Sequence, residues 1–162
     1  MLIIRPTASL AHRMKVKLTD NGESSDTLLG DWSAIDLHIC RQQLILAVCE
    51  KARLGVLCKA APYSSWPERF IKSTKVLLLA IGIDPVKVDE EVLRMREFFF
   101  AKTNNRSVLG SINDYRAHIE FRIQSGRNSP EDYLDLGQLS ETPVSILKYQ
   151  FPREVAAEIL SL

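Results

Sequence analysis

The chain predicts an α+β fold, with an antiparallel β-meander at about 32–60 and a short N-terminal strand packed with a C-terminal set of about five helices. Three observations carry this. Apolar residues alternate with period two from Trp32 to about Ala60. Beyond Ser65 they recur at helical spacing instead. Pairs of a capping residue and a proline, Asp84-Pro85, Ser129-Pro130 and Thr142-Pro143, then mark successive helix starts.

Leu2-Ile3-Ile4-Arg5 reads as the short strand, and Thr7 as the cap of a helix to about Lys15. Residues 19–27 are polar and lack any apolar period, which predicts a flexible loop inside a single globular domain spanning 1–162. In the meander, Ile35, Leu37 and Ile39 alternate with Asp36, His38 and Cys40, and Gln42-Gln43 offers a turn. That turn would set Ile39 opposite Leu46 and Leu37 opposite Val48, with strands over Leu44–Glu50 and Leu54–Lys59 following. The second face also carries Ile45, Ala47, Cys49, Val56 and Cys58, so the sheet is expected to be covered on both sides.

Ser65-Trp66-Pro67-Glu68 has the spacing of a capping box, and Phe70, Thr74, Leu77, Leu78 and Ile81 continue a helix to Gly82. The Asp84-Pro85 helix is expected to run to Lys102, with Val88, Val92, Met95 and Phe99 on one stripe and Glu90 pairing with Arg94. Phe98, Phe99 and Phe100 cannot all face that stripe, which offers an oligomer contact or burial on two sides of the helix. A third helix spans Ser111 to Gln124, with Ile112, Tyr115, Ile119 and Ile123 inward. Phe151-Pro152 opens a closing amphipathic helix to Leu162.

Composition narrows the class. The 162 residues are enough for one ordinary core, and 46% hydrophobic with 25% charged is a globular mixture. The net charge of +1 lacks the electrostatic footprint of a dedicated duplex-DNA binder. No apolar run reaches the roughly 18 residues that cross a bilayer, and the start does not resemble a signal peptide. Three cysteines, an odd number, fit a reducing compartment, so a cytoplasmic protein without membrane contact is expected.

Cys40, Cys49 and Cys58, with His38 beside them, lack the close Cys-x2-Cys pairs of structural zinc, so they read as core residues and no metal or cofactor is expected. Neither a nucleophile elbow nor a phosphate-binding glycine loop occurs. Gly30-Asp31-Trp32 reads either as a structural corner or as one wall of a pocket with Asp31 as ligand or base. Asn104 to Tyr115 carries two readings as well. In one, Asn105 or Ser107 caps a turn, Gly110 permits a bend and Ser111 caps the third helix. In the other, Ser107, Ser111 and free N–H groups form an anion site with Arg106 as a bidentate clamp, and Asn113 and Asp114 complete a polar wall.

The run Asn105-Arg106-Ser107-Val108-Leu109-Gly110-Ser111-Ile112-Asn113-Asp114 resembles the signature of a family of short bacterial proteins classed only as a domain of unknown function. The resemblance extends to Met1–Arg5, to Leu29-Gly30-Asp31-Trp32, and to Glu141-Thr142-Pro143 with Lys148-Tyr149 and Pro152. Members usually follow Gly-Asp-Trp with Tyr-Ala-Asn, whereas Ser33-Ala34-Ile35 stands here. The resemblance implies a bacterial, soluble, single-domain protein and implies no activity.

Three functions are compatible with these residues. The first is a non-catalytic binding or regulatory module with a polar pocket around Arg106, taking a small anionic ligand or a protein partner. The second is a small enzyme acting on a phosphorylated or acidic ligand, with Arg106 as clamp, Asn113 orienting, and Asp114 or Asp31 as base. The third is a structural or assembly role, with a homo-oligomer contact through Phe98, Phe99 and Phe100.

Overall fold

The computed structural model describes residues 1–20, 22–134, 139–141 and 150–161, and its fold is α+β. Five strands form one sheet: β1 (Leu2–Pro6), β2 (Trp32–Ile39), β3 (Gln42–Cys49), β4 (Gly55–Lys59) and β5 (Phe98–Phe100). Their order is β4-β3-β2-β1-β5. The expected meander is present as antiparallel β2-β3-β4, but β1 joins it parallel to β2 and holds β5 parallel on its other side. This central position explains why Leu2, Ile3 and Ile4 are all fully buried, since a strand with neighbours on both edges and layers on both faces reads as a continuous apolar run.

The helices are α1 (Ala8–Met14), α2 (Trp66–Ala80), α3 (Pro85–Met95), α4 (Arg106–Gln124), α5 (Pro130–Leu134) and α6 (Pro152–Ser161). One face of the sheet packs a core of Leu2, Ile4, Trp32, Ile45 and Ala47 against Leu10, Phe70, Leu78, Val88 and Leu160. The other face sets Ile35, Leu37, Leu44, Leu46 and Val48 under Val108, Ile112, Tyr115 and Ile119 of α4. Two buried clusters on opposite faces thus match the double apolar patterning of the meander. No helix among the described residues is long and apolar enough to cross a membrane.

Several expectations are corrected. The β2–β3 turn is Cys40-Arg41, not Gln42-Gln43, and Ile35 rather than Ile39 faces Leu46. Both turn residues have positive φ, 50° and 64°, the backbone that a two-residue hairpin demands and that Asn-Gly would normally announce. Because the register moves by an even number of residues, every side chain keeps its expected face. Phe98–Phe100 is an edge strand, not helix, since α3 stops at Met95 and three aromatics suit a strand that β1 can accept. Phe98 and Phe100 turn inward and meet edge to face at 5.8 Å, leaving Phe99 exposed.

Further differences concern helix ends. α4 starts five residues earlier than Ser111, so Gly110 lies within the helix and makes no bend. Ser65 makes no capping bond; its hydroxyl donates to the Pro62 carbonyl and accepts from Arg69 instead. Glu90 pairs with Lys87, and Arg94 with Glu91. The Thr142-Pro143 helix start lies outside the described residues. Thr7, Asp84 and the Ser129-Pro130 and Phe151-Pro152 starts stand where the sequence puts them.

Candidate functional site

The Gly-Asp-Trp corner and the start of α4 meet at one end of the sheet through buried polar side chains. Gly30 adopts φ +81°, a conformation that disfavours any side chain, and a Cβ there would lie 3.3 Å from Glu50 Oε2. That turn delivers Asp31 to the guanidinium of Arg5, whose Nε donates to Asp31 Oδ2 at 2.7 Å. Asp31 Oδ1 accepts from the Ser25 N–H at 2.8 Å, while Arg5 also donates to the Lys102 and Glu23 carbonyls. Both charges are therefore paired and hydrogen-bonded, as burial requires. Trp32, fully buried, packs edge-on to Phe70 at 4.9 Å.

The α4 signature continues the network. Asn105 Oδ1 accepts from the Ser107 and Val108 N–H groups, and its Nδ2 donates to Glu50 Oε1 at 3.1 Å. Arg53, only 7% exposed, donates to the hydroxyls of Ser111 at 3.4 Å and Ser107 at 3.2 Å. Tyr115 donates back to the Arg53 carbonyl at 2.7 Å, closing a loop that fixes the left-handed Arg53 backbone against the helix. Burial pushes the Tyr115 phenol well above its ordinary range and holds the Arg53 guanidinium below its own. Burial likewise raises the adjacent Cys49 thiol to about 11. These groups stay in their resting protonation states near neutrality and serve as donors and acceptors of fixed bonds.

On α4, the hydroxyls of Ser107 and Ser111 thus turn to Arg53, and the Asn105 cap takes two of the N–H groups that an anion would need. Asp31 faces Arg5, and Trp32 lies in the core on the opposite face of the sheet from α4. Arg106, Asn113 and Asp114 point the other way. All three are exposed on the outer side of α4 and form no hydrogen bond or ion pair among the described residues. The sequence-derived candidates therefore separate into a group bonded or packed within the fold and a solvent-facing group without internal bonds among the described residues, instead of lining one pocket. Among the described residues no group of three or more His, Cys, Asp or Glu side chains could hold a metal ion. Cys49 and Cys58 are buried, while Cys40 is exposed in its turn.

Four participants escaped the sequence reading: Arg5, Glu50, Arg53 and Glu91. Glu91 is fully buried and accepts from the Leu28 and Leu29 N–H groups at 2.9 and 3.0 Å, anchoring the approach to Gly30. A signal existed for two of them. Arg5 is the one charge in an apolar strand, and Glu91 falls on the buried stripe of α3 between Val88 and Met95. Glu50 and Arg53 sit in a turn with no periodicity to mark them.

The fold and this network define a class: a small α+β chain whose mixed sheet is tied to one long helix by polar side chains, the buried Arg53 among them. Its sequence places it more closely. The chain belongs to the family described as a domain of unknown function, DUF6933, whose profile matches residues 3–155. Compared with curated proteins and with solved structures, the chain gives no match.

Proposed function

We propose that the protein is a non-catalytic binding module whose recognition surface is the outer face of α4. The observation that carries this reading is the row Arg106, Asn113 and Asp114, set around Gly110 and without a partner among the described residues. Positions 106, 110, 113, 117 and 121 are spaced by three or four residues, so they share one stripe of the helix. Along it stand Arg106, Gly110, Asn113, Ala117 and Phe121, with Asp114 alongside, and all are exposed.

The stripe is poor helix material. An exposed interior glycine costs about 1 kcal/mol relative to alanine, and Asn or Asp up to about 0.7 kcal/mol each. Beyond the helix's own backbone, none of the described residues lies within 4 Å of a Cβ added at Gly110, so no packing among them offsets that cost. Two small positions, Gly110 and Ala117, permit close approach of another backbone, and Phe121, 61% exposed, offers an aromatic anchor. Arg106 and Asp114 are eight residues apart, about 12 Å along the axis. The surface therefore suits a segment of a partner protein presenting an acidic and a basic side chain at that separation. A carboxylate opposite Arg106 would form a charge-assisted, bidentate pair.

The test is affinity isolation of the tagged full chain from its native cells, with Arg106→Ala and Phe121→Ala beside wild type. A partner lost from both variants at unchanged melting temperature, and slowing amide exchange along α4 when added back, supports the reading. Identical partners on all three proteins would overturn it.

A further inference from the structure

A cavity lies at the β4 edge of the sheet, between β4 and α2. It encloses about 350 Å³ and is lined by Leu57, Cys58, Lys59, Arg69, Lys72 and Ser73. Three of these residues are cationic and none is acidic. Lys59 and Lys72 are exposed and form no salt bridge among the described residues, although Glu131 lies close enough to Lys59 to feel its charge. Burial raises the Cys58 thiol, so that side chain adds no negative charge to the wall.

Arg69 is held differently. Its Nη2 donates to the carbonyls of Lys59, Ala60 and Pro62 at 3.0, 2.8 and 3.0 Å, and its Nη1 to Ser65 Oγ at 2.6 Å. These bonds lock the guanidinium across the β4–α2 connection. Its Nε is buried with no acceptor among the described residues, and no carboxylate pairs with the guanidinium there, so its positive charge stands uncompensated on the cavity wall.

Backbone geometry adds donors. Ala60 N–H bonds Gln43 and Cys49 N–H bonds Leu54, which fixes the alternation along β4. By that alternation, the Leu57 and Lys59 N–H groups point to the outer edge of the sheet, beside the cavity. Ser73 stands one turn from Arg69, with its hydroxyl turned to the Cys58 sulfur.

We propose that this cavity is a binding site for a phosphate-bearing small molecule. Arg69 supplies a pre-positioned guanidinium, Lys59 and Lys72 supply charge from the two walls, and the strand edge supplies neutral donors. The volume suits a phosphate with a small organic remainder, whereas a nucleic acid strand needs an extended groove with stacking surfaces. The site is remote from the α4 stripe and goes beyond the reading given for it.

The test is a titration of the ¹⁵N-labelled full chain with inorganic pyrophosphate, followed by amide shifts, beside citrate as a non-phosphate anion and a single-stranded oligonucleotide. The proposal expects saturable shifts at Leu57, Lys59 and Ser73, and binding weakened at least about tenfold in the double variant Lys59→Met, Lys72→Met. That variant should melt like wild type because both side chains are exposed and form no salt bridge among the described residues. Arg106→Ala should bind pyrophosphate normally, which separates this result from the fate of the α4 reading. Shifts that fail to saturate, shifts centred elsewhere, equal binding by the double variant, equal response to citrate, or oligonucleotide binding that pyrophosphate does not displace would each overturn it.

Discussion

Arg5 Nε and Asp31 Oδ2 lie 2.7 Å apart, and each residue is more than nine-tenths buried, so the first strand and the Gly-Asp-Trp corner are joined by a charge pair that water barely reaches. A pair of this kind is a poor source of net stability, because desolvation offsets most of the attraction. It is severe when broken. Asp31→Ala strands a buried guanidinium and should cost about 3–5 kcal/mol in urea denaturation. The double variant Arg5→Met, Asp31→Leu should recover most of that loss. If Asp31→Ala denatures like wild type, the pair is not the scaffold element described above.

Tyr115→Phe removes the hydroxyl that donates to the Arg53 carbonyl and leaves that carbonyl buried without its partner. The expected loss is about 1–3 kcal/mol. The Arg53 turn, already in a left-handed conformation, should also exchange its amides faster. Equal stability of the variant would mean that the turn is held by the serines alone.

The buried thiol makes stability sensitive to alkali. Cys49 rises from an ordinary 9.0 to about 11 in the folded chain because burial disfavours the thiolate. Above about pH 9 the unfolded chain releases this proton while the folded chain retains it, so the unfolded state binds fewer protons and stability falls as pH rises. The Cys49 contribution is thus complete below about pH 9 and is lost on the way to about pH 11, with a full loss of about 3 kcal/mol. Cys49→Ala should flatten the fall in urea midpoint across that interval. Parallel slopes for the two proteins would contradict the assignment.

Thiol accessibility is a simpler check. In the folded protein a disulfide reagent should label Cys40 rapidly, and should reach Cys49 and Cys58 only on unfolding. Fast labelling of more than one thiol in the native state would show that the core that holds Cys49 and Cys58 opens more readily than its burial implies.

Much of this was legible in the sequence, for physical reasons that can be named. The meander announced itself because both of its faces are covered, and the inward stripe of α4, Val108, Ile112, Tyr115 and Ile119, is a clean helical repeat. β5 was hidden because Phe98–Phe100 continues a helical pattern, and only β1, nearly a hundred residues away, makes it a strand. The hairpin turn was misplaced because Cys40-Arg41 adopts positive φ without the residues that favour it. The composition of the α4 start was equally ambiguous, since Ser107 and Ser111 look the same whether their acceptor is an anion or their donor is Arg53. Arg53 is more than fifty residues away in sequence, and no local pattern connects them.

Gly110 separates packing from recognition directly. Open space surrounds the position, and its helical backbone accepts alanine. Gly110→Ala should therefore stabilise the protein by about 1 kcal/mol. A loss of stability would mean that this face of α4 is packed against the chain itself.

The central claim is that the signature helix has a scaffold side and a recognition side. Urea denaturation of Asn105→Ala beside the triple variant Arg106→Ala, Asn113→Ala, Asp114→Ala tests it most directly. Asn105→Ala loses the helix cap and the bond to Glu50 and should fall by about 0.5–2 kcal/mol. The triple variant removes no internal bond among the described residues and replaces two weak helix formers, Asn113 and Asp114, and one good one, Arg106, with the best, so it should be at least as stable as wild type. A triple variant less stable than wild type by about 1 kcal/mol or more would contradict the division, because those three side chains would then be holding the fold together.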